Sequence, residues 1–227
     1  MSANQARPAV NEGQSSIMEL TEPTKADWEL ARRIGAEFKA KPESRHIATE
    51  FALARLSASV RAVRPKSVLE LGAGIGTITK LLLEHDMRPE TVVSTEDHPV
   101  CLDALDRNLA DIDRDGLHVV TSLDELLALD FTYELAICDG GFDDPRQYKG
   151  IREGALCFFE GSRGAHRRML MSHLEPAGLA FEAHNFPRSG FRFFLKKKRN
   201  APPGAWRRPK IKRRKGCWIG IVHPVAG

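Results

Sequence analysis

Val68-Leu69-Glu70-Leu71-Gly72-Ala73-Gly74-Ile75-Gly76 decides how this chain is read. Its first part, from Ser67, is short and apolar on alternate and adjacent positions alike, as in a strand buried on both faces of a sheet. The three glycines then allow a tight bend and a close approach of backbone N–H groups to a ligand. Residues 77–85 follow as a helix. A pyrophosphate-embracing turn has the spacing G-x-G-x-x-G, whereas here it is G-x-G-x-G, with Glu70 two residues before the first glycine. A carboxylate at that place repels a pyrophosphate and suits a ligand that carries positive charge.

Outward from this turn, strands and helices alternate. Strands are expected at 91–95, 117–121, 133–138, 154–159 and 179–186, and helices at 77–85, 99–109, 123–129 and 163–174. That alternation predicts an α/β fold with a mostly parallel sheet and helices on both faces. Two further apolar segments, 191–195 and 217–222, are expected to complete a seven-stranded sheet as antiparallel C-terminal edge strands. Before the turn, residues 26–40 and 45–63 show helical periodicity, with Pro42 between them and Ser44 placed to cap the second. Three parts result: a leader at 1–25, a helical cap at 26–64 and the ligand-binding domain at 65–227.

A second acid is expected at the end of the second strand, where it can accept from ribose hydroxyls. Glu96 stands there, twenty positions past Gly76, with Asp97 beside it. The glycine turn with its leading acid, the strand-two acid and the Asp139-Gly140 pair after strand four come in one order. In these features the chain resembles class I S-adenosylmethionine-dependent methyltransferases, from about residue 67 to 159. The resemblance implies a Rossmann-like fold and S-adenosyl-L-methionine as cofactor, with S-adenosyl-L-homocysteine as product. It implies that Glu70, Gly72, Ala73, Gly74 and Gly76 shape the methionine pocket and that Glu96, with Asp97 as the alternative, holds the ribose. It places the adenine near Ser122 and Leu123, although the family often has Asp where this chain has Ser122. It brings Asp139 close to the transferred methyl and the cofactor.

The acceptor is expected beyond the carboxyl ends of the strands. His166 is a candidate base for a hydroxyl acceptor. Arg163, Arg167 and Arg168 stand at a helix start, against the helix dipole, which points to retention for an anionic group of the acceptor. Asp139 and Glu160 sit where catechol-type relatives hold a divalent metal, and oxygen ligands suit magnesium. The Asn expected after the second acid is Gly161 here, so the metal is the less favoured option and no ligand is assigned.

The 227 residues form one domain's worth of chain, 42% hydrophobic and 28% charged, as expected for a globular protein. No apolar run is long enough for a bilayer span, and the polar N-terminus has no secretory pattern, so a cytoplasmic protein without membrane contact is expected. Cys101, Cys138, Cys157 and Cys217 have neither metal nor redox spacing and read as reduced thiols. The net charge of +4 hides an asymmetry: residues 188–215 contain thirteen Lys or Arg and no acid, leaving a remainder of net −9. The basic segment, with Trp206 inside it and Trp218 just after it to stack on bases, makes nucleic acid an alternative partner. The leading expectation is a small-molecule methyl acceptor, at oxygen before nitrogen. An RNA or protein methyltransferase is the alternative, and a non-catalytic binder the third. The sequence leaves the oligomeric state open, a homodimer included.

Overall fold

The computed structural model describes residues 21–44, 47–161, 163–187, 191–194, 210–213 and 216–225. Helix α1 (Lys25–Lys39) is opened by a capping box in which the Thr24 side chain accepts from Asp27 N–H while the Asp27 carboxylate accepts from Thr24 N–H. Helix α2 spans Glu50–Val63 and is capped by Thr49, not Ser44. It starts later than the periodicity suggested; Ile47 and Ala48 are outside it, and residues 45–46 are not among those described. Residues 1–20 of the expected leader are also outside the described residues, whereas Thr21 is buried.

The alternating part runs β1 (Ser67–Leu71), α3 (Thr77–Leu83), β2 (Thr91–Thr95), α4 (Pro99–Asn108), β3 (Leu117–Val120), α5 (Leu123–Ala128), β4 (Tyr133–Cys138), β5 (Ile151–Glu160), α6 (Gly164–Leu174) and β6 (Leu179–Phe186). Two short strands, β7 (Phe191–Phe194) and β8 (Lys210–Arg213), precede β9 (Cys217–Pro224). The main sheet has seven strands in the order β3-β2-β1-β4-β5-β9-β6. Strands β1 to β5 are mutually parallel, and β9 runs antiparallel to both its neighbours. The expected fold class holds: a mostly parallel sheet, layered by helices, with an antiparallel C-terminal strand.

Both sheet faces are buried, which is why β1, β4 and β5 read as unbroken apolar runs. Val68, Leu135, Ile137, Leu156 and Phe158 point to the face packed by α1, α2 and α3, where Ile34, Phe38, Leu53, Leu56 and Leu81 meet them. Leu69, Leu71, Ala136, Cys157 and Phe159 point to the opposite face with Leu126, Leu170 and Leu174.

Two expectations are corrected. Strand β9 is not at an edge but lies between β5 and β6. Its sequence fits an interior place: Cys217 and Ile219 join one core and Val222 the other. A side chain at Gly220 would come within 2.1 Å of the Glu182 carbonyl oxygen. Segment 191–194 does not join the main sheet; it pairs with β8 in a separate antiparallel ribbon. Residues 188–190, 195–209 and 214–215 of the basic segment, Leu195, Lys196 to Arg199 and Trp206 among them, lie outside the described residues. Cys138, Cys157 and Cys217 are buried free thiols and Cys101 is partly exposed. No helix among the described residues is long and apolar enough to cross a membrane.

Candidate functional site

The strand order reverses at β1, with β2 on one side and β4 on the other, and such a point leaves a crevice at the carboxyl ends. The glycine turn fills its base. Gly72, Gly74 and Gly76 all have positive φ, at 85°, 56° and 90°. Gly72 is pressed against the loop after β4: a Cβ there would lie 2.5 Å from Gly140 Cα. Gly140 N–H and Asp139 N–H both donate to the Leu71 carbonyl, at 2.7 and 3.0 Å. Ala73 N–H donates to the Thr95 carbonyl at 2.8 Å. The turn is thus stitched to the ends of both neighbouring strands.

A cavity of 430 Å³ opens over this junction. Its wall runs along the carboxyl edge from Glu96 and Asp97 after β2, past Gly72, Ala73, Gly74 and Ile75, to Asp139, Gly140, Gly141 and Phe142 after β4 and Arg163 after β5. Glu43, Ile47 and Ala48, from the connection between α1 and α2, cover it from the other side. The Glu96 carboxylate accepts from Gly74 N–H at 2.7 Å and from His98 N–H at 3.0 Å, so it is fixed at the wall by backbone donors. Asp139 is paired with the guanidinium of Arg163, which reaches it from the start of α6.

Of the residues nominated from sequence, Gly72, Ala73, Gly74, Glu96, Asp97 and Asp139 meet in this cavity. Others stand elsewhere. Glu70 is fully buried behind the turn, where its Oε2 accepts from Thr79 Oγ1 at 2.7 Å and Ser94 Oγ at 2.5 Å while Oε1 has no hydrogen-bond partner. Burial, opposed by those two hydroxyls, pushes its pKa up to about 7. Gly76 is the N-cap of α3, close to Leu105 and Leu109 rather than in the cavity wall. Ser122 caps α5, accepting from Glu125 N–H at 3.2 Å, and neither it nor Leu123 borders the cavity. His166 is half-buried in the first turn of α6. The Tyr148 hydroxyl donates to its carbonyl at 3.0 Å and lies 3.4 Å from its Nδ1. Burial first, and then the charge of Arg163, lower the His166 pKa, but the ring is not in the cavity wall. Arg167 is stacked on Trp218, 3.7 Å from the ring centroid, and also stands off the wall.

Sequence reasoning missed Glu43, Ile47, Ala48 and Phe142. Glu43 was read in the break between two helices and Ile47 and Ala48 inside the second; the helix starts only at Glu50, and the packing of α1 and α2 on the sheet brings this connection over the strand ends. Among the described residues no group of three or more His, Cys, Asp or Glu is placed to hold a metal ion. At the ends of β4 and β5, Asp139 is engaged by Arg163, and Glu160 is not part of the cavity lining.

No protein-family model matches the chain, and no curated protein does. Solved structures do. The O-methyltransferase from Bacillus cereus, determined in complex with SAH, superposes with a TM-score of 0.55 at 14% identity, over 92% of this chain and 96% of that one. The cofactor-bound protein Rv0187 from MTB gives 0.55 at 18% identity, over 96% and 100%. The tRNA (m1A58) methyltransferase TrmI from Aquifex aeolicus gives 0.53 at 15% identity, over 85% and 75%. The fold of this chain is the Rossmann-like fold of class I S-adenosylmethionine-dependent methyltransferases.

Proposed function

We propose that this protein is an S-adenosylmethionine-dependent methyltransferase that moves a methyl group to an oxygen of a small-molecule acceptor. The observation that carries the reading is the cavity's charge. Among the described residues, the four carboxylates of Glu43, Glu96, Asp97 and Asp139 line it against the single cation Arg163, around a glycine turn that brings backbone to the ligand. Such a wall is unsuited to a pyrophosphate and suited to a ligand with ammonium and sulfonium charges. Its volume is in the range of small-ligand sites, roughly 300–1,000 Å³. Glu96 and Asp97 would hold the ribose, and the glycine turn the methionine part. When bound, the sulfonium supplies an electrophilic methyl group. The protein's own share is orientation and exclusion of water. Phe142, Ile47 and Ala48 close the cavity with apolar surface, and Asp139 and Arg163 mark the end at which an acceptor enters. An anionic acceptor fits Arg163, the cation that the start of α6 brings to the wall. The O-methyltransferases among the similar structures support oxygen over nitrogen.

Calorimetric titration with S-adenosylmethionine and S-adenosylhomocysteine tests the reading. The wild type binds both, and Glu96→Ala weakens both by at least about tenfold, on the order of 1.4 kcal/mol. Absence of binding to the wild type sinks the assignment.

A second reading is an RNA methyltransferase. It rests on the thirteen cations and absent acids of residues 188–215, and a tRNA methyltransferase shares the fold. The net −9 of the remaining chain disfavours a broad nucleic-acid surface.

A further inference from the structure

Arg163 combines three properties. It is the one cation in the cavity wall among the described residues, against four carboxylates. It sits in the left-handed region, at φ 29° and ψ 39°, where a side-chain-bearing residue is strained. It occupies the N-cap of α6 without giving that helix a side-chain cap. A Ser, Asp or Gly there would serve the helix better, so what this arginine secures is the reach of its guanidinium to Asp139 across the ends of β4 and β5.

The place of that pair is set by topology. Along the cavity wall Glu96 follows β2, on one side of β1, and the Asp139–Arg163 pair follows β4 and β5, on the other. A ligand whose ribose is held at the β2 end thus has its opposite end toward the pair. The pairing uses Nη2 of a guanidinium that has five N–H donors. The Arg163 side chain is 36% exposed and that of Asp139 15%, so water and solutes reach the pair. Arg163 is the more exposed partner, so its remaining N–H donors face the cavity, where an anion can meet them.

We propose that Arg163 is the acceptor-binding cation of this cavity, held in readiness on Asp139, and that it takes an acceptor presenting an oxyanion, an aryl carboxylate or a phenolate. The incoming oxyanion replaces the Asp139 carboxylate on the guanidinium. A carboxylate, or a phenol acidic enough to be ionised at the working pH, has no proton to lose in the cavity, so His166, which is outside the wall, is not needed as a base. As the guanidinium charge turns to the acceptor, Asp139 acts more strongly on the positively charged ligand, so acceptor and cofactor favour one another's binding. This inference rests on the methyltransferase reading.

Saturation-transfer NMR on the full chain in the presence of S-adenosylhomocysteine tests it, with benzoate, 4-nitrophenolate and benzyl alcohol as probes. The wild type is expected to bind at least one of the two anions, and to bind it better than the neutral alcohol. Arg163→Gln weakens that anion by about tenfold, and Arg163→Lys restores part of the loss. Asp139→Asn strengthens it, since the competing carboxylate is gone. Binding of benzoate alone or of the phenolate alone supports the proposal and identifies which oxyanion is taken. Equal binding of the alcohol and the anions to the wild type overturns it, as does anion binding that Arg163→Gln leaves unchanged. Gln and Lys share the strained backbone equally, and Arg163→Gly, which relaxes it, serves as the third variant should either fail to fold. Failure of the wild type to bind S-adenosylhomocysteine in calorimetry rejects the methyltransferase reading itself, and is separate from both results above.

Discussion

Gly72 and Gly74 are two residues apart and share positive φ, yet a methyl group added at each has a different consequence. At Gly72 it meets the backbone of Gly140 at 2.5 Å, and backbone cannot step aside as a flexible side chain can. At Gly74 it meets nothing within 4 Å and projects into open space at the cavity wall. Gly72→Ala therefore adds a clash to the left-handed strain, and is expected to cost about 2–4 kcal/mol of stability. Gly74→Ala carries strain alone, about 1 kcal/mol. Its effect appears instead in binding, because the new methyl occupies volume that the ligand needs. Thermal melting with S-adenosylhomocysteine titration separates the two. The first variant loses stability and binding together, and the second keeps most of its stability but loses binding. A Gly74→Ala protein that binds as the wild type does would remove the ligand from the glycine turn.

Glu70 acts at the scale of elements, since it is on β1 and accepts from Ser94 of β2 and Thr79 of α3. Its folded pKa, about 7, is above the ordinary 4.5 because burial disfavours the charge more than the two hydroxyls favour it. Between those values the folded chain keeps a proton that the unfolded chain has released, so this group's contribution to stability falls as pH rises. Replacement by Gln removes the dependence. Urea unfolding of wild type and Glu70→Gln at about pH 5 and about pH 8 is expected to show the wild type losing about 1–3 kcal/mol relative to the variant. Buried His85 has a lowered pKa and acts in the opposite direction over part of that range, but it is common to both proteins. A constant difference between the two proteins would place the Glu70 charge in a solvated setting. The strand bearing Glu70 was legible because both its faces are apolar and a glycine turn follows. The place of β9 was not, because its partners β5 and β6 are set by pairing across the chain, and an apolar segment near the end of a sequence looks the same whether it joins an edge or the interior. Glu96 was legible from its spacing to the turn. Glu43, Ile47 and Ala48 were not, since they reach the cavity only through the packing of α1 and α2.

For the molecule as a whole, the open question is which partner its charge separation serves. An acidic cavity and a remainder of net −9 are joined to a segment with thirteen cations and no acids. If that segment holds RNA, its affinity comes from displaced counterions and must be steeply salt-dependent, the slope falling by about 0.7 for each lost phosphate contact on a single strand. Replacing Lys196, Lys197, Lys198 and Arg199 by Gln would then lower the slope by about 3. The small-molecule reading expects something else. S-adenosylhomocysteine affinity stays within about twofold of the wild type. RNA binding is weak in both proteins at physiological salt, because the acidic remainder repels the strand beyond the basic segment. Filter binding of a single-stranded RNA across a salt series, beside calorimetry with S-adenosylhomocysteine, distinguishes the readings. Wild-type RNA affinity that persists at physiological salt and collapses in the variant, with cofactor binding intact, would make the acceptor a nucleic acid. The Asp139–Arg163 pair would then have to be judged as a contact for a phosphate rather than for a small oxyanion.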